Sequence, residues 1–250
     1  RAPQIYDEDL HIETSGSRQV IHRNAESLKQ ESSNSFNASL DFSGVKEEWQ
    51  YQFLIEGFYT QLIHPFANEF GEPNENGVVV YTRVNAEEGA RVMGINLEMN
   101  ASLFTQLQFQ SGFTFQKSEY DAPQEFGETG FFRTPDTYGY LSLNYSPAKR
   151  FNTSFTGKYS GPMLVPYFGP RLKNPAQGQL NQSNSFFDAG IKLAYDIPVT
   201  EVVNVQLSGG IKNLFNSYQS DFDRGINRDP AYIYGPLTPR SFFFGLKIKN

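Results

Sequence analysis

The sequence predicts an all-β fold, an antiparallel up-and-down transmembrane β-barrel wall, and three observations predict it. Apolar and polar residues alternate with a period of two through most of residues 33–249, the signature of strands with one greasy and one wet face. The alternating segments run near or above the roughly 9–11 residues that a tilted membrane-crossing strand needs, against about 5–6 for an ordinary globular strand. Their connections alternate between tight turns and long polar loops, so the two ends of the sheet differ.

Nine such segments are legible, at 33–43, 49–63, 79–102, 105–118, 134–146, 150–160, 185–196, 201–214 and 240–249. The first carries Phe36, Leu40 and Phe42 in one phase; the second carries Trp49, Tyr51, Phe53, Ile55 and Tyr59. In the third, ARVMGINLEMNASL (90–103) sets Met93, Ile95, Leu97, Met99 and Ala101 against Gly94, Asn96, Glu98 and Asn100. Leu107, Phe109, Phe113 and Phe115 mark the fourth; Leu141, Leu143 and Tyr145 the fifth; Phe151, Phe155 and Tyr159 the sixth. Phe187, Ile191, Leu193 and Tyr195, then Val203, Val205, Leu207 and Ile211, then Phe242, Phe244, Leu246 and Ile248 complete the set. The opposite phase holds Asp41, Glu56, Glu98, Lys158, Asp188, Lys192, Asp196, Lys212, Lys247 and Lys249. Short connections are expected at Ser43–Glu48, Ala101–Thr105, Ser146–Lys149 and Ile197–Thr200, and long ones at about 4–31, 64–78, 119–133, 161–184 and 215–239.

A soluble β-sandwich also segregates its faces, because it packs two apolar sides together. Strand length and the regular alternation of short and long connections favour the membrane wall. Composition removes other classes. No segment reaches the roughly 18 uninterrupted apolar residues of a membrane-spanning helix. There are no cysteines, which excludes disulfides and thiolate chemistry, and the net charge of −6 with scattered Lys and Arg offers no basic stripe for nucleic acid. The 23 Phe and 14 Tyr suit strands and a surface that meets lipid headgroups.

Four stretches carry a family resemblance: RAP (1–3), GARVMGINLE (89–98), GGIKNLFNSY (209–218) and IYGPLTPRSFFFGLKIKN (233–250). In this order they resemble the C-terminal part of the barrel of TonB-dependent outer-membrane receptors, with its FRAP, RVxGxExE, GxKNLF and PRxFxxG motifs. The match departs at Asn96, where such strands often carry Glu, and at Asn250, where these barrels commonly end in an aromatic residue. The resemblance implies that residues 1–250 are the last nine of about 22 strands, with the plug domain and the earlier strands outside this chain. It also implies a bacterial outer-membrane receptor that captures a scarce ligand of the ferric siderophore, haem or cobalamin class and imports it with TonB-coupled energy. The implied partners are outer-membrane lipid and lipopolysaccharide, the rest of the barrel and plug, the TonB complex and a small-molecule chelate. A passive pore or an outer-membrane enzyme with the same wall is the rival reading.

Candidate ligand contacts lie in the long loops, where a rigid scaffold places recognition. His11 and His22 fall between Arg1–Pro3 and Asn24–Leu28, which is similar to the placement of a histidine in haem-transporting members; solvated loop histidines are the plainer alternative. Phe131–Phe132–Arg133 and Tyr167, Phe168 and Arg171 join aromatic rings to a guanidinium, a combination that stacks on and pairs with an anionic chelate. Loop-on-loop packing explains the same residues without a ligand. Asp221, Asp223 and Asp229 in DFDRGINRD are oxygen donors for a cation, although the spacing is not that of an EF-hand, and pairing with Arg224 and Arg228 is the simpler account. No Gly-rich phosphate loop and no Ser/His/Asp constellation can be assembled, so neither an enzyme nor a resident cofactor is expected.

Overall fold

The computed structural model describes residues 19–71, 74–75, 78–104 and 106–249. In chain order the strands are β1 (Gln19–Asn24), β2 (Ser32–Lys46), β3 (Trp49–Ile63), β4 (Phe66–Phe70), β5 (Val78–Asn85), β6 (Ala90–Leu103) and β7 (Leu107–Tyr120). They continue as β8 (Thr137–Ala148), β9 (Phe151–Ser160), β10 (Leu164–Tyr167), β11 (Gln179–Gln182), β12 (Phe186–Pro198), β13 (Asn204–Lys212) and β14 (Ser241–Lys249). Nine of them form one sheet in the order β14-β13-β12-β9-β8-β7-β6-β3-β2. Every neighbouring pair in it is antiparallel. This is the predicted meander, with β2 and β14 as its edges.

The register keeps the apolar phases together across the whole sheet. Leu40 pairs with Ile55, Ile55 with Leu97, and Leu97 with Phe113. Farther along, Leu143 pairs with Phe155, Phe155 with Ile191, Ile191 with Ile211, and Ile211 with Phe242. A slip of one residue anywhere would turn a strand inside out, so this agreement is what a single apolar face requires. Small residues make room for rings: a side-chain carbon on Gly112 would meet the Tyr140 ring at 2.6 Å, and one on Gly139 would meet the Phe113 ring at 2.9 Å.

That face is not a protein core. Phe244 is 92% exposed, Phe36 69% and Leu246 66%, far more apolar surface than a soluble monomer leaves to water. Along β3 it runs from Trp49 to Tyr59, ten steps of about 3.3 Å, which at a strand tilt near 40° spans about 25 Å, the height of the lipid-facing band of a barrel. Charges enter this phase only at its ends among the described residues: Lys46 at the short-turn end, and Arg91, Lys117 and Glu119 at the long-loop end. There Glu119 receives Arg91 and Lys117, each at 2.6 Å, and Arg91 also reaches Asp121 at 3.1 Å.

The opposite face is a polar ladder. Thr114 donates to Asn96 at 2.8 Å, Gln52 to Asp41 at 2.7 Å and Ser154 to Asn144 at 2.7 Å. Near the short-turn end Asp196 accepts from both Gln206 and Lys249 at 3.0 Å. Polar groups satisfied in this way suit the wet lumen of a barrel.

Two expectations are corrected. The segment 79–102 is two strands, because the chain turns at Ala86–Gly89, where Gly89 holds φ +92° and its N–H meets the Ala86 carbonyl at 3.2 Å. The first of the two, β5, leaves the wall and joins a small sheet of order β1-β5-β4. The long connection after β3 therefore covers 64–89 rather than 64–78. Elsewhere the long-loop end carries a β10–β11 hairpin and a single 3-10 turn at Glu125–Gly127. A cluster of buried apolar residues sits here, Val165, Tyr167 and Tyr232 with Met163, Leu172 and Tyr234 against them.

Candidate functional site

The base of loop 213–240 is built by the KNLF stretch. Asn213 takes φ +49° and is buried; its carboxamide oxygen accepts the Ser217 N–H at 2.7 Å, and its nitrogen donates to the Ser217 and Thr238 carbonyls at 3.1 and 2.9 Å. Asn is one of the few residues that tolerate this left-handed backbone, and here its amide also joins the two stems of the loop. Asn216 then accepts the Arg240 N–H at 2.9 Å, and Leu214 donates to the Ala189 carbonyl at 2.7 Å. These contacts tie the loop to β12 and β14.

Above this base, loops 161–185 and 213–240 lock together. The Tyr167 hydroxyl donates to Asp223 at 3.0 Å and accepts from the Arg171 Nε at 2.7 Å, while the Arg171 guanidinium lies 4.4 Å from the Tyr167 ring and 5.3 Å from that of Tyr232. Arg171 and Asp223 are themselves paired at 3.2 Å. Asp229 accepts the Phe168 N–H at 2.8 Å, and Asp221 accepts the Tyr234 hydroxyl at 2.6 Å. Burial raises the Tyr167 hydroxyl above its ordinary value, with Asp223 adding to the shift and Arg171 opposing it. Tyr234 is raised strongly, by burial first and then by its hydrogen bond to Asp221.

Loop 121–136 joins the same roof. Phe126 lies 6.0 Å from both Phe132 and Phe168, and Arg133 donates through its backbone to Leu164 at 2.8 Å and through its guanidinium to the Ile233 carbonyl at 3.0 Å. The roof overhangs the polar face. A cleft of about 780 Å³ runs beneath Tyr234 and Pro236, lined by Glu98, Tyr140, Lys158 and Asp188 of the lumenal ladder.

The predicted contacts separate into two groups. Phe132, Arg133, Tyr167, Phe168 and Arg171 meet across three loops, and Phe131 packs on Tyr120 at 4.6 Å. His22 lies apart, on β1, with its ring edge-on to Tyr81 at 5.4 Å. His11 and the RAP stretch lie outside the described residues. The aspartates do not converge as a cation site: each already accepts protein donors, and no group of three His, Asp or Glu side chains gathers among the described residues. Their expected pairing with Arg224 and Arg228 is also corrected, since Arg171 is the partner of Asp223, Arg228 donates to the Gly225 carbonyl at 3.0 Å and Arg224 lies over the Phe222 ring. The aspartates instead cap backbone amides and tyrosine hydroxyls between loops. Sequence reading missed Tyr232, Tyr234 and Gln219. The alternation in Tyr232–Ile233–Tyr234 was a usable signal, whereas Gln219, buried and bonded to Tyr232 and Tyr234 main-chain atoms, left none.

Solved structures share this wall. The ferric-catecholate import receptor Fiu from E. coli K12 is 20% identical, with a TM-score of 0.57 over 88% of this chain and 28% of its own. The copper transporter OprC is 16% identical, with a TM-score of 0.62 over 93% of this chain and 34% of its own. The ferric enterobactin receptor PfeA from Pseudomonas aeruginosa, in complex with enterobactin, is 14% identical, with a TM-score of 0.61 over 92% of this chain and 33% of its own. At these identities the likeness shows the fold, and the chain spans about a third of the length of each or less. No curated protein matches the sequence. The family model for the TonB-dependent receptor-like β-barrel matches residues 1–214. With its nine-stranded wall, polar lumenal ladder and loop roof, the chain belongs to the TonB-dependent receptor β-barrel family.

Proposed function

We propose that this chain is the C-terminal wall and part of the ligand-capturing mouth of a bacterial outer-membrane importer. The ligand class is a scarce metal chelate or cofactor, such as a ferric siderophore, haem or cobalamin, and uptake draws on the TonB complex. The observation that carries the reading is the roof: three loops, two pinned to each other by Tyr167, Arg171 and Asp223 and the third joined to them by Arg133, fold over a polar lumenal face. A simple pore gains nothing from a mouth so closely knit. That the structural neighbours include a ferric-catecholate import receptor, a ferric enterobactin receptor and a copper transporter supports a metal-bearing ligand.

In this reading the edges β2 and β14 pair with the remaining strands of a barrel of about 22, around a plug domain. Unpaired amides in hydrocarbon cost several kcal/mol each, so open edges would be untenable in lipid. Phe131, Phe132, Arg133, Tyr167, Phe168 and Arg171 contact ligand from the roof, and His11 and His22 contribute from the first loop. The wall meets lipid, with lipopolysaccharide at its outer rim. Uptake of labelled ferric chelates, haem and cobalamin into cells carrying the full-length receptor tests the proposal. One ligand is expected to enter, and to stop entering when the proton-motive force is collapsed. Energy-independent leakage of all of them would make the protein a pore.

A further inference from the structure

Beneath the roof the lumenal ladder forms two rows that cross the sheet from β6 to β12. In the lower row Glu98 stands beside Gly112, Gly112 beside Tyr140, Tyr140 beside Lys158 and Lys158 beside Asp188. Four strand spacings of about 4.8 Å set its two carboxylates about 19 Å apart along the sheet. One pleat closer to the roof, Asn96, Thr114, Tyr138 and Ser160 follow in the same order. Both rows line the cleft of about 780 Å³, a volume in the range of small-molecule sites.

The floor and the lip of this cleft are fixed. Tyr140 spreads its ring over Gly112, where a side-chain carbon would lie 2.6 Å from the ring Cε1, yet the residue stays 47% exposed. The ring thus rests against the wall and offers its other face to the lumen. Overhead, the buried Gln219 carboxamide accepts the Tyr234 and Gly235 N–H groups at 2.9 and 3.2 Å, which holds the lip of the roof. Asn96 is set by accepting from Thr114 at 2.8 Å and donating to Glu56 at 3.3 Å. By contrast Glu98, Tyr138, Tyr140, Lys158, Ser160 and Asp188 make no side-chain hydrogen bond or ion pair among the described residues.

Those groups select among ligands. Two carboxylates against one ammonium disfavour an anion. An apolar occupant would strip water from Glu98, Lys158 and Asp188 and return no hydrogen bond. A cation would meet Lys158 between the two acids. A sugar ring satisfies the whole set: its hydroxyls donate to the carboxylates and accept from Lys158 and Ser160, while its C–H face packs on the open face of Tyr140.

We propose that this cleft holds a neutral pyranose ring carried by the incoming ligand. The proposal deepens the import reading and rests on it for the ring's being cargo; binding is tested apart from transport. Saturation-transfer NMR on the full-length receptor, in a polyoxyethylene detergent that carries no sugar, would use methyl glycosides of glucose, galactose and mannose as probes. Two controls accompany them: 2-methoxytetrahydropyran, the same ring without hydroxyls, and benzoate, planar and anionic. Saturation is expected in the ring protons of at least one glycoside and in neither control, since a site built to bond hydroxyls rejects an analogue lacking them. Tyr140→Leu and Asp188→Ala are each expected to weaken that glycoside about tenfold, whereas Tyr140→Phe, which keeps the ring face, should bind it unchanged. Saturation of no glycoside, or of 2-methoxytetrahydropyran as strongly as of the glycosides, overturns the proposal. So does a loss in Tyr140→Phe as large as in Tyr140→Leu, or binding unchanged in both Tyr140→Leu and Asp188→Ala. A receptor that binds a glycoside yet imports none of the labelled chelates and cofactors keeps the sugar cleft and loses the import reading. One that imports a chelate yet saturates no glycoside does the reverse.

Discussion

Tyr167 donates its hydroxyl hydrogen to Asp223 at 3.0 Å across 56 residues of chain, and through this bond two loops behave as one body. Asp223 is nearly buried, with 6% of its side chain exposed, and Arg171 at 3.2 Å balances its charge. Removing one bond from such a network leaves an acceptor short of a donor.

Tyr167→Phe should therefore loosen the roof without touching the wall. A lost hydrogen bond to a charged, buried partner costs about 1.5–3 kcal/mol. Hydrogen exchange at the Phe168 amide should speed up by about ten- to a hundredfold, while amides of β6 and β7 stay protected. Unchanged exchange would mean that Arg171 and the backbone hold Asp223 alone.

Asn213→Ala should open loop 213–240 at its base. Three hydrogen bonds go, and alanine must hold a left-handed φ, for a combined cost of about 2–4 kcal/mol. Asn213→Gly relieves the backbone and should recover part of this. Limited proteolysis between residues 213 and 240 reads the difference.

The two faces should respond oppositely to charge. Leu97→Arg, at mid-height in the lipid-facing phase, is expected to cost the full-length receptor about 2–4 kcal/mol in vesicles, whereas Asn96→Arg, one residue away on the lumenal face, should be tolerated. Urea titration of folded receptor in lipid makes the comparison. Equal costs would mean that both faces are enclosed by protein.

Alkaline pH should release the roof. The folded loops hold Tyr167 and Tyr234 protonated above the ordinary tyrosine value, chiefly through burial. Below about pH 10 both open and closed loops keep these protons and the stabilisation is complete. As pH rises past that point the open form loses protons first, so opening gains and closure weakens. Protease sensitivity of loop 161–185 should rise above about pH 10, and in Tyr234→Phe the rise should be smaller.

The wall was legible because its cause is local. A membrane imposes one environment on every second residue, and Leu40, Ile55, Leu97 and Phe113 report it from their own sequence positions before any pairing is known. The failure at β5 has the same root. VVVYTRV, apolar without a break from Val78 to Tyr81, has the β-branched and aromatic composition of a strand as much as β6 does, and only the turn at Gly89 separates the two. The roof was legible in residue type but not in partnership. Tyr167, Phe168 and Arg171 stood out as recognition chemistry, whereas the engagement of Asp223 and Asp229 depends on which distant loop folds beside them. Arg133 shows the limit most plainly, since its guanidinium donates to the carbonyl of Ile233, a residue of another loop that nothing in its own sequence neighbourhood names.

The charges that end the apolar phase, Lys46 below and Arg91, Lys117 and Glu119 above, give the sheet a waterline. Sliding outward by one pleat would draw Lys46 toward oil, and sinking by one pleat would drag the Arg91–Glu119 pair after it. A wall of this family therefore rides at one draught in its bilayer, and the height of its loop roof above the lipid follows from four side chains at the two ends of one face.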